Sequence, residues 1–166
     1  MWRKESSSNR TKKSWNSTEL QEKMMAFCAY QERCVWDAKR KMQEREVAEE
    51  DQEQVLEYLI QEKFIDEERY VRAFARGKFN FKKWGKNRIR MELKMRQIPE
   101  SLIKIGLAEI DPFAYYDTLC NQVELRWQKE KEQDPYKKKY KVSQYLMSKG
   151  YEYDLIREAI DDSFQT

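Results

Sequence analysis

Apolar residues recur along this chain at a step of four and then a step of five. Ala38, Met42 and Val47 are followed by Ile89, Leu93 and Ile98, and then by Val142, Leu146 and Tyr151. A step of four keeps side chains on one face of a helix, so each triplet reads as a helix face running into a turn. The later two continue in register, Ile98 to Ile103 to Leu107 having the same steps as Tyr151 to Ile156 to Ile160. From Val47 the pattern resumes at Val55 and Leu59, which assigns three extra residues to the loop. The chain therefore reads as three related three-helix units of roughly 45 residues, the size of a helical repeat.

Caps and breakers place the elements. A hydroxyl cap at Ser17 or Thr18 opens a helix through Leu20, Met24, Phe27 and Cys28, and a second runs through Val35, Ala38 and Met42. A third opens at Asp51 with Val55, Leu56, Leu59, Ile60 and Phe64 on one stripe. The second unit opens at Asp66 with Tyr70 and Phe74, and its first helix weakens near Gly77 or Asn80. Gly85 and Pro99 open the next two helices. In the third unit Asp111 and Pro112 start a longer helix through Tyr116, Leu119, Cys120, Val123 and Trp127. Asp134 and Pro135 break it, Tyr136 begins the next, Gly150 ends that one, and Tyr151 to Ile160 is the last.

The expected organisation is a flexible basic arm over 1–17, with Trp15 able to pack back, and three-helix repeats over 18–64, 65–110 and 111–166. Units so small cannot bury both faces alone. The fold class is all-α: three tandem three-helix repeats stacked into an elongated, curved solenoid.

Composition agrees. Pro 3 and Gly 4 leave little turn chemistry for a sheet, and 38 % charged against 40 % hydrophobic residues suits several small layers better than one large core. No apolar run approaches the roughly 20 residues of a membrane span, and Met1 to Trp15 has no hydrophobic signal core, so a soluble, cytoplasmic protein is expected. Cys28, Cys34 and Cys120 lack the spacing of a zinc cluster and read as reduced, semi-buried residues. The absence of histidine removes Ser/His and Cys/His nucleophilic catalysis. No cofactor or metal site is expected, and the acids Glu49, Glu50, Asp51 and Glu53 read as a helix start favoured by the dipole.

Charge changes the picture most. Between Arg69 and Arg96 there are eleven lysines and arginines against the single acid Glu92. Between Glu44 and Glu68 there are eleven acids against Arg45 and Lys63. The net charge of +3 conceals two opposed blocks, which points to a strongly charged partner. Candidate contact residues are Lys82, Lys83, Lys86, Arg90 and Lys94 around the helix opened by Gly85. Arg69, Arg72 and Arg76 form a stripe on the preceding helix, and Lys137, Lys138 and Lys139 stand at the corresponding helix of the third unit. Phe79, Phe81 and Trp84 interleave with Lys78, Lys82 and Lys83, a composition that either stacks bases or anchors the loop.

These residues carry a resemblance. Phe64, Ile65, Asp66, Glu67, Arg69, Tyr70 and Val71, then Gly85, Ile89, Glu92, Leu93 and Ile98 in a Gly-x-x-x-Ile-x-x-Glu-Leu pattern, resemble the RecX family of RecA regulators. Asp37 to Met42 stands where the family has Glu-Leu-x-x-Lys-Leu, and Val142 to Gly150 resembles the third unit's helix and glycine. Ala38 and Met42 depart from the usual leucines, and the third unit lacks a counterpart of Gly85. The likeness covers Leu20 to Ile160. It implies a regulator of homologous recombination, DNA repair and the SOS response that binds the RecA filament on single-stranded DNA. Such a protein restrains filament growth and reduces ATP hydrolysis and strand exchange, without being an enzyme itself. The implied partners are the RecA filament and single-stranded DNA, met directly or through the filament, with no membrane and the chain acting as a monomer. The alternative is a free-standing DNA-binding module that competes for the strand.

Overall fold

The computed structural model describes residues 14–164, and among them there are nine α-helices and no strand. They are α1 (Ser17–Tyr30), α2 (Val35–Glu44), α3 (Glu49–Gln61), α4 (Glu67–Lys82), α5 (Lys86–Met95), α6 (Glu100–Leu107), α7 (Pro112–Lys129), α8 (Pro135–Ser148) and α9 (Tyr153–Phe164). The chain divides into two compact units, Met1–Asp66 and Glu67–Thr166. In each group of three helices, the third packs against both others: α3 on α1 and α2, α6 on α4 and α5, α9 on α7 and α8. The all-helical fold and its three-helix repeats are as expected.

The spacing of four and five marks one kind of corner. Val47, Ile98 and Tyr151 each donate a backbone N–H to the carbonyl five residues back, Met42, Leu93 and Leu146, at 3.1, 3.2 and 3.1 Å. The residue before each is left-handed: Glu46 at φ 54°, Gln97 at 59° and Gly150 at 98°. This is the Schellman ending, in which the residue after the turn packs on the last helical turn. Both apolar partners are buried in all three corners. Each corner spans four residues, so the three extra residues expected in the first loop instead lengthen helix α3, to 13 residues against 8 in α6.

Two corners place a non-glycine residue in left-handed backbone, which costs an L-residue roughly 1–2 kcal/mol, partly offset by the entropy glycine loses on folding. Gln97→Gly is therefore expected to stabilise unit two by about 0.5 kcal/mol, read as a higher midpoint in urea with unchanged slope.

Several boundaries differ from the sequence reading. Asn16, not Ser17 or Thr18, caps α1, its side chain accepting from Glu19 N–H at 3.0 Å. Helix α3 starts two residues before Asp51. Pro99 precedes the first residue of α6 and Tyr136 follows that of α8. Helix α4 does not weaken at Gly77 or Asn80, because buried Ala75 and Phe79 hold it on either side. Ile60 is exposed, and Phe64, Phe74, Tyr116, Cys120 and Trp127 are only half-buried. Cys28 and Cys34 are fully buried rather than semi-buried, whereas Cys120 is partly covered and burial pushes its thiol above the ordinary value. Of the basic arm, residues 1–13 lie outside the described residues; Trp15 does pack back against the core around Leu20 and Met42, and its backbone N–H donates to the Arg45 carbonyl at 3.2 Å. None of the helices described is long and apolar enough to cross a membrane.

Candidate functional site

The cationic segment lies where α4 turns into α5, and unmet backbone groups build this place. The first N–H groups of a helix and its last carbonyls have no partner within it. Here the start of α5 meets the end of α8. Gly85 N–H donates to the Lys149 carbonyl at 2.8 Å, and Asn87 N–H to the Gly150 carbonyl at 2.9 Å. The Tyr115 hydroxyl accepts from Lys86 N–H at 3.0 Å and donates to the Glu152 carboxylate at 2.6 Å. The Tyr151 hydroxyl donates to the Lys83 carbonyl at 2.7 Å. Burial, with the Glu152 bond second, pushes the Tyr115 phenol well above its ordinary value, so it stays protonated. Phe79, Tyr115 and Tyr151 pack as a row of rings at 5.7 and 5.4 Å between centroids.

Two glycines permit the approach. A Cβ on Gly85 would lie 2.2 Å from the Gly150 carbonyl carbon, and one on Gly150 would lie 2.4 Å from Arg88 Cβ. The joint draws Lys83, Lys86, Arg88 and Lys149 into adjoining backbone, so part of the positive charge follows from how the two three-helix groups meet.

The candidate residues divide by what holds them. Lys82 and Lys83 are exposed at the end of α4 and, among the described residues, form no ion pair. Phe81 beside them is 85 % exposed. Lys86 is half-buried over the Tyr115 ring at 4.9 Å. Arg90 and Lys94 share Glu100, Arg90 in direct contact and Lys94 at 3.7 Å. Arg72 and Arg76 both grip Glu109, at 2.5 and 3.1 Å, and Arg72 also holds Glu68 at 2.8 Å. Hydrogen bonds from the two arginines hold the Glu109 carboxyl below its usual range. Arg69 is exposed on the same helix. In the other three-helix group Lys137 is exposed, Lys138 lies over Trp127 at 5.0 Å, and Lys139 pairs with Asp161 at 2.7 Å.

The aromatic residues of the corner separate in the same way. Phe79 is core, Trp84 is held between Lys78 at 4.9 Å and Arg88 at 4.2 Å, and only Phe81 offers an open face. Sequence reasoning missed Tyr115 in favour of Tyr116, although Tyr115, Leu119 and Val123 follow steps of four and are all buried. The facing of Gly85 and Gly150 had no local signal. Chemically the corner can hold anions and stack one flat ring.

Two family models match the chain: RecX, second three-helix domain, over 66–107, and RecX, third three-helix domain, over 114–160. Among curated proteins, the regulatory protein RecX of Clostridioides difficile (strain 630) is 26% identical over 75% of this chain and 60% of its own length. That of Chlorobium limicola is 29% identical over 69% of this chain and 70% of its own. Against the relative from Clostridium botulinum (strain Eklund 17B / Type B), the chain spans 51% of that protein's length. Among solved structures, a regulatory protein RecX superposes with a TM-score of 0.80 at 24% identity, covering 87% of this chain and 73% of that one. RecX from Lactobacillus salivarius gives 0.77 at 18%, covering 90% and 97%.

Proposed function

The chain belongs to the RecX family of regulatory proteins, and from that premise we propose that it binds the RecA filament on single-stranded DNA and restrains its growth, ATP hydrolysis and strand exchange. The observation that carries the reading beyond the family is the α4–α5 corner, where Lys82 and Lys83 stand exposed with no acid of this chain paired to them among the described residues. Their charge is available to a polyanion or an acidic surface. Lys86 and Lys137 extend the contact and Arg69 is exposed on the same helix as Arg72, whereas Arg72, Arg76, Arg90, Lys94 and Lys139 reach a partner only by sharing or leaving their acids. The mechanism needs binding alone: a protein that prefers one filament state shifts the equilibrium by its differential affinity, and the ATP chemistry stays with RecA.

The test is ATP hydrolysis by the matching RecA on single-stranded DNA, titrated with this protein beside a bare-DNA titration at the same salt. Half-inhibition at a concentration well below that which coats bare DNA is expected. Inhibition that tracks DNA coating would instead establish the second reading, competition for the strand, which exposed Phe81 between cations favours. In that case the logarithm of the apparent affinity would fall by about 0.7 per phosphate contacted for each tenfold rise in salt.

A further inference from the structure

Each compact unit carries one surface that suits a surface of the other. The first is an open groove of about 360 Å³ between α8 and α9, whose walls include Tyr136, Tyr140, Met147, Tyr153 and Arg157. Its tyrosines are 83 %, 62 % and 53 % exposed, and their hydroxyls have no hydrogen-bond partner among the described residues. Elsewhere in the chain such hydroxyls meet acids: Tyr115 donates to the Glu152 carboxylate and Tyr116 to that of Asp162, both at 2.6 Å. Lys139, also on the groove wall, is taken by Asp161 at 2.7 Å, whereas Arg157 is exposed and pairs with no acid among the described residues. The groove therefore holds three phenol donors and one cation without an acid. The second surface is the outer face of α3. Glu50, Glu53, Glu57 and Ile60 follow steps of three, four and three, which put them on one side of the helix, and all four are exposed. Helix α3 has no lysine or arginine, and none of these acids forms an ion pair among the described residues. The helix dipole favours acids in the first turn only, so it does not account for Glu53 and Glu57. The two surfaces agree in length, Glu50 to Ile60 rising roughly 15 Å and Tyr136 to Met147 roughly 16 Å.

We propose that the α8–α9 groove of one copy takes the acidic face of α3 from a second copy, Tyr136, Tyr140, Tyr153 and Arg157 donating to Glu50, Glu53 and Glu57 while Ile60 lies on Met147. A helix laid in a groove is a recurring mode of recognition, and complementary charge fixes its register. Because the two surfaces differ, the contact runs head to tail: each pair keeps one free groove and one free α3, and further copies add as an open chain unless the rotation closes a ring. The bonds are made by exposed groups, so the association is reversible, and the monomer implied by the family resemblance is its dilute state. The four groove donors are not among the residues proposed to meet the filament, and the contact requires no RecA.

The test is sedimentation velocity of the whole chain over a series of micromolar concentrations at low salt. The parent's sedimentation coefficient should rise with concentration and return to the monomer's at high salt, where the charges are screened. Tyr136→Phe/Tyr140→Phe keeps both rings and removes two donors, and should weaken association about tenfold. Tyr136→Ala/Tyr140→Ala and Glu53→Lys/Glu57→Lys should each stay monomeric where the parent associates. Their equal mixture should form a dimer and nothing larger, since one variant keeps its groove and the other its α3. Because these side chains are exposed, the variants should keep the parent's circular dichroism and melting. A parent that stays monomeric throughout would overturn the proposal, as would a mixture no heavier than its parts. Association that Tyr136→Phe/Tyr140→Phe leaves unchanged would assign the rings, and not the hydroxyls, to a flat ligand, and would overturn it too. No arm of the test reads RecA inhibition, so its outcome leaves the filament reading untouched.

Discussion

Gly85→Ala is expected to destabilise unit two by about 3 kcal/mol, at or above the upper end of what overpacking costs. Gly85 needs no special backbone, since φ is −76° and ψ 166°. What it needs is space: an added Cβ would meet Gly150 carbon at 2.2 Å, its oxygen at 2.3 Å and Tyr151 nitrogen at 2.3 Å, all backbone atoms that cannot rotate away. Relieving the clash moves α5 from the α8–α9 corner and strains the bonds from Gly85 to Lys149 and from Asn87 to Gly150. Gly77→Ala is the matched comparison. Its Cβ would have nothing within 4 Å, so the same change mid-helix should stabilise by about 0.5–1 kcal/mol. Urea melts of both variants and the parent decide the matter. Equal effects of the two alanines would mean that the glycine contact is not what joins the helices.

The second large effect concerns function. Lys82→Glu/Lys83→Glu should raise the concentration for half-inhibition of RecA ATP hydrolysis at least tenfold while leaving the melt unchanged. Both side chains are exposed, and the joint uses the Lys83 carbonyl, which the substitution keeps. Two cations become two acids, so attraction is replaced by repulsion at the partner, where a charged hydrogen bond is worth about 1.5–3 kcal/mol. Lys39→Glu, an exposed cation of α2, is the control for net charge. Unchanged inhibition in a folded double variant would remove Lys82 and Lys83 from the contact. Reversing Arg72 or Arg76 would be a poorer experiment, because it would break the grip on Glu109 as well.

How far the sequence could be read follows from the range of each interaction. The corners were legible because a Schellman ending writes its signal within six residues, and the buried triplets on Met42, Leu93 and Leu146 follow directly. The cationic block was legible as charge but not as available charge. Glu109 lies 37 and 33 residues from Arg72 and Arg76, in the turn after α6, so a run poor in local acids looked unpaired. Phe79, Phe81 and Trp84 look alike in composition, and only packing separates a core ring, a covered ring and an open one. An open groove between α8 and α9 was invisible for the same reason, since its lining residues Tyr153 and Arg157 join Tyr136 and Tyr140 only when the two helices fold together.

The joint also sets an order of events on the ribosome. Helices α4 to α6 can close on one another as soon as Leu107 has emerged, since α6 packs on both α4 and α5 and α4 on α5. The N–H of Gly85 and the carbonyl of Lys83 cannot be met until Lys149 and Tyr151 have been synthesised, 64 to 68 residues later. At a few to twenty residues per second this leaves several seconds in which the Gly85 N–H and the Lys83 carbonyl are met by water. A nascent chain of this protein therefore carries its most positively charged turn before the tyrosine that bonds its backbone exists, and the last helical hairpin is the step that fixes that backbone while the Lys82 and Lys83 side chains stay open.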